Sequence, residues 1–434
     1  MSAFYDLSKT PRNILNQAIV RAIVSENNGA LFDPSDMTTL FQDAAGTIPV
    51  TAVEQPIGKI LDKSGNGNHA TQSITASWPT LSARYNLLTK TEDFSAVSWN
   101  KEFSGTGAIP LITPNYALAP DGSMTASRIV YALNGGTTLN DYSRVSQAVS
   151  LPANTQTVLG VWLKSASSQT KNIVISMAGE SPKVVSVGTD WAFITNAMIR
   201  ADTNYSLRIE LRGAFGSSDS ADILIWHPDL RLGTSAGPYQ RVNTATDYDT
   251  NPALFPKYLK FDGIDDYLNL PYMGLYAGGG MSIIAARDAV SQSTDTYIIS
   301  ERSITDADPK YFPSRQLASG GNMDAYIADD NAAVVLDTVG SPFGGAADKV
   351  IRSVVDTGSN LKLYKNGSLA ADDNYTRAGT LTLNNTTLGA SVSTTTSNYA
   401  KMNLYGLIIT KSAISDAQRI KCERFLARKA GVII

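Results

Sequence analysis

From about residue 30 to residue 410 the apolar residues of this chain seldom recur at helical spacing. They alternate with polar ones in short runs, cut by Asp-Gly, Asn-Gly, Gly-Gly and Pro. TVLGVWLKS, NIVISMAG, YSLRIELRG and ADILIWHP are such runs in the first half, and SIIAARDA, TYIISER, VIRSVVD, LKLYKNGSL, LTLNNTTLGA and LYGLIIT in the second. Period-two alternation turns one face of a strand to a core and the other to water, so many short runs between turn signals specify an all-β sandwich or barrel. A chain of 434 residues, 43% of them hydrophobic, can build about two to four domains with real cores. No fixed-period repeat runs through it.

The helical period returns only at the two ends. In TPRNILNQAIVRAIVSENNG, residues 10–29, Thr10 can cap, Pro11 suits the first turn and Asn28-Gly29 can close the helix. Ile14, Leu15, Ala18, Ile19, Ala22 and Ile23 recur at three- and four-residue spacing and form one apolar stripe. The stripe either lies on the following domain or joins copies and partners; Ile14, Leu15, Ile19 and Ile23 are the assembly candidates, in an amphipathic segment 1–29. ISDAQRIKCERFLARKAG carries Ser415 three residues before Gln418, a capping-box spacing, and Gly431 at the C-cap. Cys422, Phe425 and Leu426 share one face there, which points the thiol into packing.

Charge and cysteine content exclude several classes. The 36 Lys+Arg against 39 Asp+Glu leave a net charge of -3, without the basic excess a nucleic-acid partner requires. No run of 18 apolar residues occurs, and the N-terminal residues lack the pattern of a secretory signal, so membrane insertion and secretion by that route are not expected. One cysteine allows no internal disulfide and no cysteine-based zinc site. No cofactor is implied. The two histidines, His69 and His227, have no neighbouring nucleophile arrangement. Glu210 and Glu301 are the only glutamates on good strand runs, and no paired-carboxylate motif of a glycosidase accompanies them, so no catalytic residue is assigned and no enzyme is expected.

Residues 30–84 are dense in turn residues and read as a connector with short strands; 85–250 and 254–434 are the two strand-rich regions. The last region, with YLKFDGIDDYLNLP as an opening hairpin, LKLYKNGS as a second and YGLIITKSAISDAQ as its close, resembles a laminin-G-like (concanavalin A-like) jelly roll. The segment FDPSDMTTLFQDAAGTIPVTAVEQPIGKILDKSGNGNHATQ resembles a connector of bacteriophage tail-associated proteins. RYNLLTKTEDFSAVSW, ALAPDGSMTASRI and IWHPDLRLGTSAGPYQRV are similar to the carbohydrate-binding-module-like jelly roll that often follows it. The resemblance implies two antiparallel β-sandwich jelly rolls in tandem, preceded by one α-helix and closed by another. It implies a structural component of a bacteriophage virion, most readily a tail fibre, spike or receptor-binding protein. Such a protein would be assembled in the bacterial host cytoplasm and exposed on the particle. It would meet other virion proteins through its N-terminal region, form a homo-oligomer and touch a host-surface glycan. The alternatives are a purely structural head-decoration, collar or baseplate protein, and a host-polysaccharide depolymerase.

Candidate binding residues follow from what sugars need, an exposed aromatic face and a few polar groups. Trp162 and Trp226 sit inside strand runs and read as core, whereas Trp99 in AVSWNK and Trp191 in GTDWAF read as exposed. The loop PYMGLYAGGG offers Tyr272 and Tyr276 beside three glycines, and GGNMDAYIADDN offers Asn322, Asp324 and Tyr326. Asp265 and Asp266, after the Asp262-Gly263 turn, could gather calcium. Their place at a strand edge favours a structural turn, and no metal site is assigned.

Overall fold

The computed structural model describes residues 11–151, 154–178, 182–199, 201, 203–289, 294–305, 310–316, 323–328, 333–334, 349–376 and 381–434. Nearly all regular structure is antiparallel β, with helix α1 (Pro11–Glu26) at one end and helix α2 (Asp416–Ala430) at the other. The chain forms two compact units. One is discontinuous and joins the segment up to Ala83 with Asn251–Ile434; the other, Arg84–Thr250, is inserted between those two parts.

The connector expected at 30–84 is therefore corrected up to residue 83. Ala30–Phe32 pairs with Leu407–Ile409, Thr80–Ser82 pairs with Lys260–Tyr258, and Thr71 pairs with Asn269. The strands here are only two or three residues long. Each is too short to show alternation by itself, which is why the segment reads as irregular. Its apolar residues nevertheless fill the core: Phe32, Leu40, Ile57, Ile60 and Leu81 are fully buried with Leu259, Phe261, Leu268, Leu404 and Leu407.

Among the described residues, an eight-stranded sheet, a nine-stranded sheet and a small two-stranded one, Ser391–Val392 with Thr396–Ser397, make this unit. The eight-stranded one runs Ser368–Asn374, Asn360–Lys365, Lys349–Asp356, Met281–Ala289, Lys401–Thr410, Tyr258–Asp262, Thr80–Ser82, and Ala30–Phe32 also pairs with Lys401–Thr410. The KNGS turn works as a tight hairpin. Lys365 faces Ser368, and Asn366 and Gly367 both take positive φ (48° and 84°), the conformation a two-residue type I′ turn requires. The other expected hairpin, YLKFDGIDDYLNLP, is corrected. Tyr258–Asp262 belongs to the eight-stranded sheet, whereas Leu268–Leu270 belongs to the nine-stranded sheet beside Asn385–Leu388. The Asp-Gly turn thus arches between sheets. Both runs carry inward apolar residues, and a crossing lets each sheet supply part of the core.

The ends close on the same unit. Helix α1 packs against α2, and its buried residues are Val20, Ile23 and Val24, while Leu15 is 60% exposed and Ile19 half-buried. Of the three assembly candidates whose side chains are described only Ile23 is buried; the side chain of Ile14 lies outside the described residues. The stripe is rotated from the expected one because the helix must meet α2 as well as the sheet. Its end is held by Gly29, whose carbonyl accepts from Ser64 Oγ (3.1 Å), Asn66 Nδ2 (2.9 Å) and Asn68 Nδ2 (2.8 Å). Asp33, buried, meets Lys429 of α2 at 2.9 Å and Lys63 at 3.3 Å. Helix α2 has the expected capping box between Ser415 and Gln418 and a left-handed cap at Gly431, and Cys422 is buried with its thiol pushed up to about 12 by burial.

The inserted unit is a sandwich of two five-stranded sheets. One runs Ala192–Ile199, Gln156–Ser165, Ser220–Leu232, Ala126–Ala132, Leu111–Ala117; the other runs Lys183–Val187, Lys171–Met177, Asn204–Arg212, Tyr142–Ser150, Asn100–Ser104. Leu159, Val161, Leu163, Ile223 and Ile225 of the first meet Val145, Ile173, Ile175, Leu207 and Ile209 of the second.

Gly29 predicts its own test. A Cβ there would overlap the Ile409 carbonyl and press on Val24 Cγ1, so the strand and helix end approach too closely for any side chain. Gly29→Ala is expected to cost at least about 1–3 kcal/mol, as overpacking does, measured as a lower urea midpoint for the discontinuous unit.

Candidate functional site

Of the four expected binding residues whose side chains are described, two are buried, one is half-buried and one is exposed. Trp99 is 1% exposed, its ring 4.6 Å from Phe94 and its Nε1 donating to the Lys90 carbonyl at 3.1 Å. It is core, because the turn-rich stretch before it folds back over the sandwich. Tyr276 is buried against Tyr311, ring centroids 5.4 Å apart, so the glycines beside it serve a buried turn. The backbone of that turn donates to the buried Glu301 carboxylate from Leu275 (3.0 Å) and Tyr276 (3.2 Å), which accounts for Glu301 on its strand. Tyr272 alone of the pair is exposed, at 41%, with its hydroxyl pushed up to about 12 by partial burial and the charge of Glu301. Asn322 lies outside the described residues. Asp324 and Tyr326 stand on a strand, Met323–Ala328, opposite Arg315 and Phe312, instead of the expected loop, and their side chains lie outside the described set. Trp191 is half-buried beside the small cluster of Ala119, Ala126 and Trp226 and donates to the Leu118 carbonyl at 3.2 Å.

A different set of aromatic residues converges on the inserted unit. In TVLGVWLKS, Leu159, Val161 and Leu163 fill the core, which turns Gly160, Trp162 and Lys164 to the opposite face. Phe193 of the neighbouring strand sits in register with Trp162, their rings 5.3 Å apart, and is 45% exposed. Gly160 makes room for it: a Cβ there would come 2.7 Å from Phe193 Cζ. On the other flank, pairing shifts between Gly160–Asp229 and Trp162–Trp226, so one residue on the first strand is matched by two, His227 and Pro228, on the second. Such a bulge re-aims a side chain. His227 takes φ +52°, and its imidazole stacks between Trp226 (centroids 3.3 Å, 18°) and Tyr239 (3.6 Å, 13°).

Trp162, Phe193, His227, Asp229, Gly237 and Tyr239 line a cleft of about 150 Å³, the size of a cavity that holds one six-membered ring. Polar groups fix its walls. The Tyr239 hydroxyl and Thr91 Oγ1 are 2.7 Å apart, and His227 Nε2 is 3.6 Å from Glu92. Arg231 donates to both oxygens of the buried Asp229 at 2.6 Å and to the Pro238 carbonyl at 2.6 Å. Burial lowers the His227 pKa against the pull of Glu92, so the ring is predominantly neutral at neutral pH. Burial likewise raises that of Asp229 against Arg231. The cleft thus offers aromatic faces, a neutral imidazole and one compensated ion pair, a lining for an uncharged ring with polar edges. Reading Trp162 as core missed it, whereas Trp226 is buried as expected. The phase of the runs carried the signal: Trp162 alternates with the core residues and shares its face with Lys164.

The acidic turn is assembled as well. Asp262, Asp265 and Asp266 have carboxylate oxygens within 4.8 Å of one another. Asp262 Oδ1 accepts from Ile264 N (2.7 Å) and Asp265 N (3.4 Å), and Asp266 Oδ2 accepts from Asp262 N at 2.8 Å. Those bonds build the arch between the sheets.

The chain matches no protein family and none of the curated proteins. Among solved structures it is similar to the NanB sialidase of Streptococcus pneumoniae, at 14% identity and TM-score 0.31, over 38% of this chain and 27% of that one. It is similar to the CBM40 of the Ruminococcus gnavus IT-sialidase bound to α2,6-sialyllactose, at 14% identity and TM-score 0.28, over 35% of this chain and 83% of that one. It is also similar to domain 4 of AbnA, a GH43 arabinanase of Geobacillus stearothermophilus in complex with arabinotriose, at 16% identity and TM-score 0.29, over 37% and 74%. The matched part spans about a quarter of the sialidase chains. At these scores the likeness assigns no residue and no ligand.

Burial, with Asp262 and Asp265 beside it, pushes the Asp266 carboxyl up to about 7, from about 3.9 in an unfolded chain. Its contribution to stability is present below about pH 4 and lost as the pH rises to the folded value, because the unfolded chain releases the proton first. Asp266→Asn keeps an acceptor for Asp262 N without that charge. Thermal melting should show the variant gaining on the parent from about pH 4 to 7, with a constant difference above.

Proposed function

We propose that this chain is a glycan-binding structural component of a bacteriophage particle, displaying the aromatic cleft of its inserted unit to a host-surface saccharide. The observation that carries the binding half is the cleft. Trp162 and Phe193 present one aromatic wall, Tyr239 and His227 another, and the Asp229–Arg231 pair supplies polar groups. Pyranose rings carry apolar C–H faces that stack on such walls while their hydroxyls reach polar groups at the edge. The reading is one of binding without catalysis. The particle half rests on the sequence resemblance of residues 30–84 and 85–250 to phage tail-associated modules. In this reading the outward side of α1, with Leu15 60% exposed, contributes to homo-oligomers and to contacts with other virion proteins.

The test is a glycan array probed with the full chain, followed by titration of the retained oligosaccharide. Trp162→Ala and Phe193→Ala should each weaken binding by about 0.5–1.5 kcal/mol, the worth of one aromatic contact, roughly two- to twelvefold, with the melting temperature little changed. An array that retains nothing, or variants that bind as the parent does, would replace adhesion with a purely structural role. Antibodies raised against the chain should label purified phage particles; unlabelled particles would remove the virion assignment and leave the binding half standing.

A further inference from the structure

The second sheet of the inserted unit carries a chemistry that the cleft does not use. Along Asn204–Arg212, Leu207, Ile209 and Leu211 point into the core, so Arg208, Glu210 and Arg212 share the outer face. Register extends that face sideways. Glu210 stands opposite Arg144, which stands opposite Glu102; Arg208 stands opposite Ser146, which stands opposite Asn100; and Arg212 stands opposite Tyr142. Arg144 Nε donates to Glu102 at 2.6 Å, Ser146 Oγ donates to the same oxygen at 3.0 Å, and the guanidinium groups of Arg144 and Arg212 lie 4.1 and 5.2 Å from the Tyr142 ring.

Glu210 sets this face apart. It is fully buried, yet neither carboxylate oxygen has a hydrogen-bond partner; Arg212 Nε is 3.8 Å away and Arg144 Nη1 3.9 Å. The Nε groups of Arg208 and Arg212 are also buried and without a hydrogen-bond partner. Buried polar groups are rarely left so, because each forfeits its bonds to water. The carboxylate holds the guanidiniums by charge, from beyond hydrogen-bond range; the two Nε groups are themselves closed off, and the face offers outward the rest of the part-exposed Arg208 and Arg212 guanidiniums. Three arginines around two carboxylates leave an excess of one positive charge. Burial raises the pKa of Glu210 against the pull of Arg212 and Arg144.

We propose that this face is a second saccharide site, for a carboxylated sugar residue of an acidic polysaccharide. A planar carboxylate fits the guanidinium fork of Arg208 and Arg212. Hydroxyls flanking it can donate to the rim carboxylate of Glu102. A doubly charged phosphate suits the face less well, because Glu102 and Glu210 stand close to where it would bind. The site lies on the sheet opposite the aromatic cleft and does not depend on what the cleft binds.

Calorimetry of the full chain decides it, with uronate and sialate oligosaccharides as probes and dextran oligosaccharide and inorganic phosphate as controls. An acidic oligosaccharide should bind, weaken with added salt, and lose at least tenfold in affinity with Arg212→Ala and with Arg208→Lys, while Trp162→Ala leaves it unchanged. Should Arg212→Ala unfold the unit, Arg208→Lys, which keeps charge and stem, decides. Failure of every acidic probe to bind, equal binding of dextran, equal binding of inorganic phosphate, or arginine variants that bind as the parent does would each overturn the proposal. Loss of neutral-glycan binding in the Trp162 variant alone would bear on the cleft and leave this site untouched.

Discussion

The strand Lys401–Thr410 holds the discontinuous unit together. Along one side it pairs with Met281–Ala289; along the other it takes Tyr258–Asp262 over its first half and Ala30–Phe32 over its last residues. Segments from both sides of the insertion therefore share one edge of one strand, close to the C-terminus. A central strand with buried faces specifies register strongly, because a slip of one residue would turn every core side chain outward. Leu404, Leu407 and Ile409 are buried on it, each worth about 1.5–3 kcal/mol in removal from water. The entropy of closing a long intervening segment grows slowly, by about 0.6 kcal/mol for each doubling of length. A few buried residues in register outweigh that increment, so a whole sandwich can be inserted where a loop would do. Helix α2 and the Asp33–Lys429 ion pair then tie the last residues to the first strand segment.

Alternation divides the inserted unit into three chemistries from one pattern. Residues of one parity in both sheets meet in the core, and those of the other parity face outward. On the first sheet the outward set is aromatic, Trp162 with Phe193; on the second it is ionic, Arg144, Arg208, Glu210 and Arg212. One local departure from alternation matters as much. The bulge at His227 adds a residue to one strand and lays the imidazole flat between Trp226 and Tyr239, so a wall of the cleft is built from a backbone irregularity.

The class of fold, the two helices and the caps of α2 were legible in the sequence, because they depend on periodicity and on side chains bonding to nearby backbone: Ser415 with Gln418, Gly431, the Asn366-Gly367 turn. These are short-range matters. The partition of residues 30–83 was not legible, since strands of two or three residues have no period of their own and exist only where distant partners supply their hydrogen bonds. Trp99 and Tyr276 were misplaced for a related reason: exposure of an aromatic in a turn-rich stretch depends on what folds over it. Trp162 was legible in principle, by its phase against Leu159, Val161 and Leu163.

What the sequence by itself determined is the alternation that makes this an all-β chain, the helices that bound it and the turn chemistry between strands, all of which act within a few residues. The tertiary structure alone decided which short strand joins which sheet, that the Asp262–Asp266 turn crosses between sheets, and that Trp162, Phe193, His227 and Tyr239 meet around one cleft. Those outcomes depend on pairings between residues tens to hundreds of positions apart. Period and propensity say that a strand will pair, and only the closed core selects its partner.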